Sequence, residues 1–172
     1  NIAINNTGAI AVTGTVATTD DVNLTASEAI TESESGQIIN AALLTTQSKG
    51  GQTLTGANAV KAFNGINADG GDIELTNTAD TLTLTGISQT AGGNVTVKNT
   101  GVIDVSGTVD TTDNVNLIAS ETIIESGAGR VTGAAVLTTQ SSGGQTLTGA
   151  NAVNAFNATN SGGGEIQLTN AD

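Results

Sequence analysis

The chain has 172 residues, a formal net charge of −12 and a pI of about 4.1; it has no Pro, Cys, Met, Trp, Tyr or His, and its two aromatics are Phe63 and Phe156. Its four basic residues (Lys49, Lys61, Lys98, Arg130) cannot build the positive stripe that nucleic acid requires, and the acidic surface repels anionic lipid. No disulfide framework is possible, the common nucleophile–base pairs are excluded, and no stretch approaches the roughly 20 apolar residues of a membrane-spanning helix.

The stretch Gly50–Val60 (GGQTLTGANAV) recurs letter for letter at Gly143–Val153. Counting outward, the shift is 93 positions and holds without a gap from Asn1/Asn94 to Ala79/Asp172, with about two thirds of positions identical. An ungapped repeat this long sets the architecture and constrains spacing. The chain is therefore one unit of two repeats, 1–93 and 94–172, the second truncated. With no initiating Met and no charged-then-apolar leader, it reads as an internal piece of a longer precursor.

Apolar pairs separated by one residue begin the predicted strands: Ile2/Ile4, Val22/Leu24, Ala42/Leu44 and Ile73/Leu75, then Val95/Val97, Val115/Leu117, Ala135/Leu137 and Ile166/Leu168. Period two places each pair on one side of a strand. Two shorter apolar segments follow each pair, as Ile10/Val12 and Val16 follow Ile2/Ile4, with Gly and Asn at the corners. No helical period is present. The expectation is an all-β, right-handed parallel β-helix with three short strands per coil and about 20 residues per coil. Equivalent pairs should stack in one inward column. The third interval is longer by about ten residues, and the excess, Asn64–Gly71 and Asn157–Gly164, is expected to bulge from a corner. Phe63 and Phe156 should each plug the core under that loop.

The phrases Gly93–Leu117, Ala41–Asn64 and Gly70–Gln89 resemble filamentous-haemagglutinin-like proteins, the large exoproteins of bacterial two-partner secretion, and related autotransporter passengers. The resemblance covers essentially the whole chain and rests on repeat style. It implies a right-handed parallel β-helix, export across the outer membrane, and a secreted or surface-attached adhesive fibre of which this chain is a central shaft segment. It transfers no functional residue to a numbered position.

No catalytic, cofactor or metal residue is assigned, and the chain is read as a non-enzyme. The carboxylate pairs Asp20/Asp21 and Asp69/Asp72 are read as solvated corners, since Asp21 aligns with Asn114 and Asp69 with Gly162. Gly70–Ile73 lacks the tandem spacing of calcium-binding nonapeptides. Thr53, Thr55, Thr81, Thr83 and Thr85 form a broken array better explained by strand propensity. Asn58 and Asn151 are expected at buried corners, bonding the backbone of a neighbouring coil. Sequons at Asn5, Asn23, Asn94 and Asn157 are read as unmodified. The functional expectation is a stiff adhesive spacer that contacts a host or neighbouring-cell surface or matrix, and that stacks end to end. The alternatives are a carbohydrate-active β-helix enzyme, which needs a groove of clustered carboxylates, and an ice- or mineral-binding rod, which needs an unbroken Thr or Asp ladder.

Overall fold

The computed structural model describes residues 1–171, as strands and turns with no helix. In chain order come β1 (Ile2–Asn6), β2 (Ile10–Val12), β3 (Thr15–Ala17), β4 (Val22–Ala26), β5 (Ile30–Glu32), β6 (Gln37–Ile39) and β7 (Leu44–Ser48). The middle holds β8 (Gln52–Asn58), β9 (Ala62–Asn67), β10 (Ile73–Asn77), β11 (Thr81–Gln89), β12 (Val95–Asn99), β13 (Val102–Val105) and β14 (Thr108–Asp110). The last third holds β15 (Asn114–Ala119), β16 (Ile123–Glu125), β17 (Arg130–Thr132), β18 (Val136–Ser141), β19 (Gln145–Asn151), β20 (Phe156–Asn160) and β21 (Ile166–Asn170).

These strands wind into a parallel β-solenoid of about eight turns with about 21 residues each. One face runs β1-β4-β7-β9-β11-β13-β16-β19-β21, and the opposite face runs β2-β5-β8-β10-β12-β15-β18-β20. Each strand is bonded in parallel to its counterpart one coil away, so the repeat distance along the axis is about 4.8 Å and the rod is about 40 Å long. Ile2 and Ile4 lie beside Val22 and Leu24, as the alternation predicts. Four strands (β3, β6, β14, β17) supply the third side of a coil; other corners reduce to isolated bridges, Ile39 to Ala59 and Thr132 to Ala152.

The inward column differs from the sequence expectation at the long third interval of each repeat, with large consequences. Leu44 stacks on Phe63, not on Ile73 or Leu75. Ile73 and Leu75 belong to the opposite face, beside Gln52 and Leu54 of the coil before and Val95 and Val97 of the coil after. Asn64–Gly71 is therefore not a bulge. Its first four residues continue β9, with Gly65 and Asn67 facing inward, and only the stretch from Ala68 turns the corner. The 31-residue interval is in truth one and a half coils. Asn157–Gly164 behaves the same way, with 157–160 inside β20. Phe63, fully buried, is a rung between Leu44 and Leu84, not a plug under a loop. A Cβ on Gly65 would lie 2.9 Å from its ring, which is why the next inward position carries no side chain. Phe156 takes the corresponding place beside Leu137 on the other face and is only partly buried. Ala42 is exposed and Ala135 is only partly buried; Ala41 and Ala134 are the buried alanines at those corners.

It follows that 93 residues span four and a half coils. From β1 the path crosses β4, β7, β9 and β11 on one face, and the repeat equivalent β12 falls on the other. Every repeated strand of the two main faces changes face in this way: β4 becomes β15, β8 becomes β19 and β10 becomes β21. Leu24 and Leu117, one on each face, are repeat equivalents exposed to 1% and 0%. Either Leu→Ala change should lower stability by about 2–5 kcal/mol in chemical denaturation. The outward Asn23→Ala should stay within about 0.5 kcal/mol of the parent. Unequal losses at the two leucines would contradict the equivalence of the faces.

Candidate functional site

The most constrained polar geometry lies where β8 and β19 leave their sheets, inside the eleven-residue identity. Asn58 is fully buried. Its Oδ1 accepts the amide of Ile38, in the coil before, at 2.7 Å. Its Nδ2 faces the carbonyls of Leu54 and of Thr76, in the coil after, both at 3.2 Å, and donates to Glu32 Oε2 at 3.0 Å. Glu32 Oε2 also accepts the Gly56 amide at 2.8 Å. Asn151 repeats the arrangement on the opposite face, accepting from Val131 at 2.7 Å and donating to Glu125 Oε2 at 3.1 Å, while the Gly149 amide reaches that oxygen at 2.7 Å. One asparagine thus fastens three coils. Glu32 and Glu125 escaped the sequence reading, although both repeats keep them in place; that shared identity was the available signal.

Burial pushes both glutamate carboxyls above the usual value of 4.5, against the opposing pull of the Asn and Gly donors. The second oxygen, Oε1, of each is buried with no hydrogen-bond partner. Among the described residues no second carboxylate or base joins the asparagine clamp; one acceptor oxygen holds two donors at the corner.

A second polar cluster fills the core beside it. Gln52 interrupts the aliphatic column, and its Oε1 accepts from Thr46 Oγ1 at 2.5 Å while Nε2 donates to Ser48 Oγ at 3.2 Å and Ile66 O at 2.8 Å. Ser48 Oγ passes the chain on to Asn67 Oδ1 at 2.9 Å, and Asn67 Nδ2 donates to the turn carbonyls of Asp69 and Gly71 at 2.7 and 3.0 Å. In the second repeat Thr139, Gln145, Ser141 and Asn160 rebuild this chain of bonds. Buried amides with every donor and acceptor engaged fix one register more strictly than aliphatic side chains do.

The carboxylates weighed from sequence are spread along the corners. Asp20 meets the N-terminal ammonium at 3.1 Å in a fully solvated pair of little energetic weight. Asp72 accepts the Asn94 amide at 2.7 Å, and Asn94 Oδ1 accepts Asn114 Nδ2 at 3.1 Å, an outer ladder through three coils. Asp69 stands exposed in the turn. Among the described residues no group of three or more His, Cys, Asp or Glu is placed to hold a metal ion. Thr83 lies between Ala62 and Asp104, and Thr53 between Thr31 and Glu74, so neither outward row is purely threonine.

Comparison of the chain with protein-family models, with curated proteins and with solved structures finds no match.

Two outcomes follow from the clamp geometry. Asn58→Asp replaces the donor facing Glu32 by a carboxylate oxygen, so it should destabilise by about 2–4 kcal/mol at neutral pH and by less in acid. Urea denaturation at two pH values measures this. The paired change Glu32→Gln with Glu125→Gln should flatten the pH dependence of stability. Because the folded carboxyls titrate above 4.5, the parent keeps their full contribution below that pH and loses it as pH rises toward the raised values. The stability difference, parent minus variant, should therefore fall with rising pH. A difference that grows with pH would refute the burial argument.

Proposed function

We propose that this chain is a shaft segment of a bacterial surface or extracellular fibre, a stiff spacer that holds adhesive parts away from the cell. The observation that supports this reading is the parallel ladder that continues on both faces through about eight turns without a break in chain order. In such a rod each coil touches only its neighbours, so length grows with the number of repeats while the cross-section stays fixed. Tension along the axis is shared by many backbone hydrogen bonds per coil, and the clamp asparagines add bonds that span three coils.

The receptor would be a glycan or a protein on a host cell, a neighbouring cell or the matrix. The half-coil offset does bear on how receptors would be met. Groups repeated every 93 residues face opposite sides and lie about 22 Å apart along the axis, so a fibre would offer its contacts on both flanks.

Solution scattering on this chain, and on one lengthened by a further 93-residue repeat, tests the spacer reading. The long dimension should grow by about 22 Å with no change in cross-section. A compact or flexible particle would contradict it. Release of reducing sugar from a polysaccharide, or thermal hysteresis, would move the assignment to an enzyme or an ice-binding rod.

A further inference from the structure

Two outward rows of side chains run side by side along one flank of the rod. Ile66, Ser88, Asp110 and Thr132 are register neighbours in four successive coils, on β9, β11, β14 and β17. Asn64 and Gly86 begin the row beside them, and Thr108 and Arg130 continue it. These rows line a groove of about 570 Å³ that extends about 14 Å along the axis. Coils continue on both sides of it, since β7 pairs with β9 and Thr132 bridges to Ala152.

Arg130 is the one arginine of the chain, and among the described residues its guanidinium forms no ion pair. Thr132 Oγ1 donates to Asp110 Oδ1 at 2.7 Å, and Thr85 Oγ1 donates to the Phe63 carbonyl at 3.1 Å. The side chains of Asn64, Ser88, Thr108 and Arg130 are bonded to no other described residue. Ile66 is 37% exposed, and the other exposed large hydrophobics, Ile4 and Ile166, lie on β1 and β21. Gly86 needs neither a left-handed backbone nor room for a neighbouring one: an added Cβ would meet the Asn64 amide nitrogen at 3.1 Å, a side-chain end that can swing away. Its missing side chain opens the groove.

The two repeats also diverge here. Thr108 matches Thr15, but Ala17, Gln37 and Ile39 of the first repeat become Asp110, Arg130 and Thr132. Gln37 Nε2 is tied to Thr15 Oγ1 at 2.8 Å, whereas Arg130 makes no such bond to Thr108 among the described residues. The substitutions turn a closed polar pair into an unengaged cation beside a carboxylate.

We propose that this groove binds a saccharide that carries a carboxylate. The acid pairs with the Arg130 fork, while Asn64, Ser88, Thr108 and the second carboxylate oxygen of Asp110 share the ring hydroxyls, and Ile66 lies under the apolar face of a ring. The strands beneath are bonded on both sides by neighbouring coils, so the groove has no open edge for an extended peptide. One arginine beside Asp110, in a chain of charge −12, cannot hold a dense polyanion such as nucleic acid. Asp110 is the one carboxylate in the lining, so the pair of acids that most glycoside hydrolases use is not assembled there. The inference rests on the shaft reading, which it deepens by naming a glycan rather than a protein as the receptor.

Sialyllactose and trigalacturonate are titrated into the full 172-residue chain, with lactose as the neutral control and acetate as the bare acid, and amide shifts are followed by NMR. Expected is saturable binding of at least one acidic saccharide at millimolar concentration, with the largest shifts at Ser88, Thr108 and Arg130. Either control should bind at least tenfold more weakly. Arg130→Gln installs the residue of the first repeat, so it should keep the fold and weaken binding at least tenfold. Gly86→Val should leave the unfolding midpoint unchanged and abolish binding. The proposal is overturned if neither acidic saccharide binds, if shifts centre outside the groove, or if acetate or lactose binds as tightly. Binding indifferent to Arg130→Gln or to Gly86→Val would overturn it too. A chain that ignores both saccharides yet lengthens as a rod in scattering refutes this inference and leaves the shaft reading standing.

Discussion

In-register parallel hydrogen bonding between successive coils is the constraint on which the rest of this structure depends. Successive strands bond about 21 residues apart; the coils run from 19 residues (Leu44 to Phe63) to 22 (Val22 to Leu44), and the corners absorb the difference so that the inward rows stay aligned. The ungapped repeat reflects that constraint. A narrow interior between two close sheets also limits its apolar filling to Val, Ile, Leu and Ala, with Phe63 the fully buried aromatic and Gly65 giving way to its ring.

Aliphatic columns alone would specify this register weakly, because one Val or Ile stacks on another nearly as well two residues or a coil away. The buried amides supply the missing specificity. Asn58 reads the coil before it through its oxygen and the coil after it through its nitrogen, and Gln52 closes a chain of bonds from Thr46 to the turn at Asp69–Gly71. A slip would leave these groups buried and unpaired, at a cost of several kcal/mol. The segment that carries both devices, Gly50–Val60, is the one that the two repeats share in full.

Much of this was legible in the residues. Alternation at Ile2/Ile4 and Val22/Leu24, Gly and Asn at corners, and scarce aromatics lead directly to stacked parallel coils. The placement of Ile73 and Leu75 was not legible, because an inward column has no sequence mark for the face it lines. Asn64–Asn67 contains Gly and two Asn and reads as turn chemistry, yet it lies in β9, where parallel bonding to β7 and β11 outweighs weak strand propensity. Taking it for a loop made four coils out of four and a half. Glu32 and Glu125 were hidden for another reason: a carboxylate beside Ser and Gly resembles any solvated corner until the Asn58 and Asn151 amides are placed against it.

The half-coil offset decides the architecture: it sets which of the two main faces each repeated strand occupies. Disulfide cross-linking in this cysteine-free chain tests it most directly. Oxidation of the double variant Thr45→Cys with Asn64→Cys should form a bond readily, since these residues are register neighbours on one face. The pair Thr45→Cys with Thr76→Cys, adjacent only if the third coil held 31 residues, should not cross-link. The reverse pattern would contradict the account.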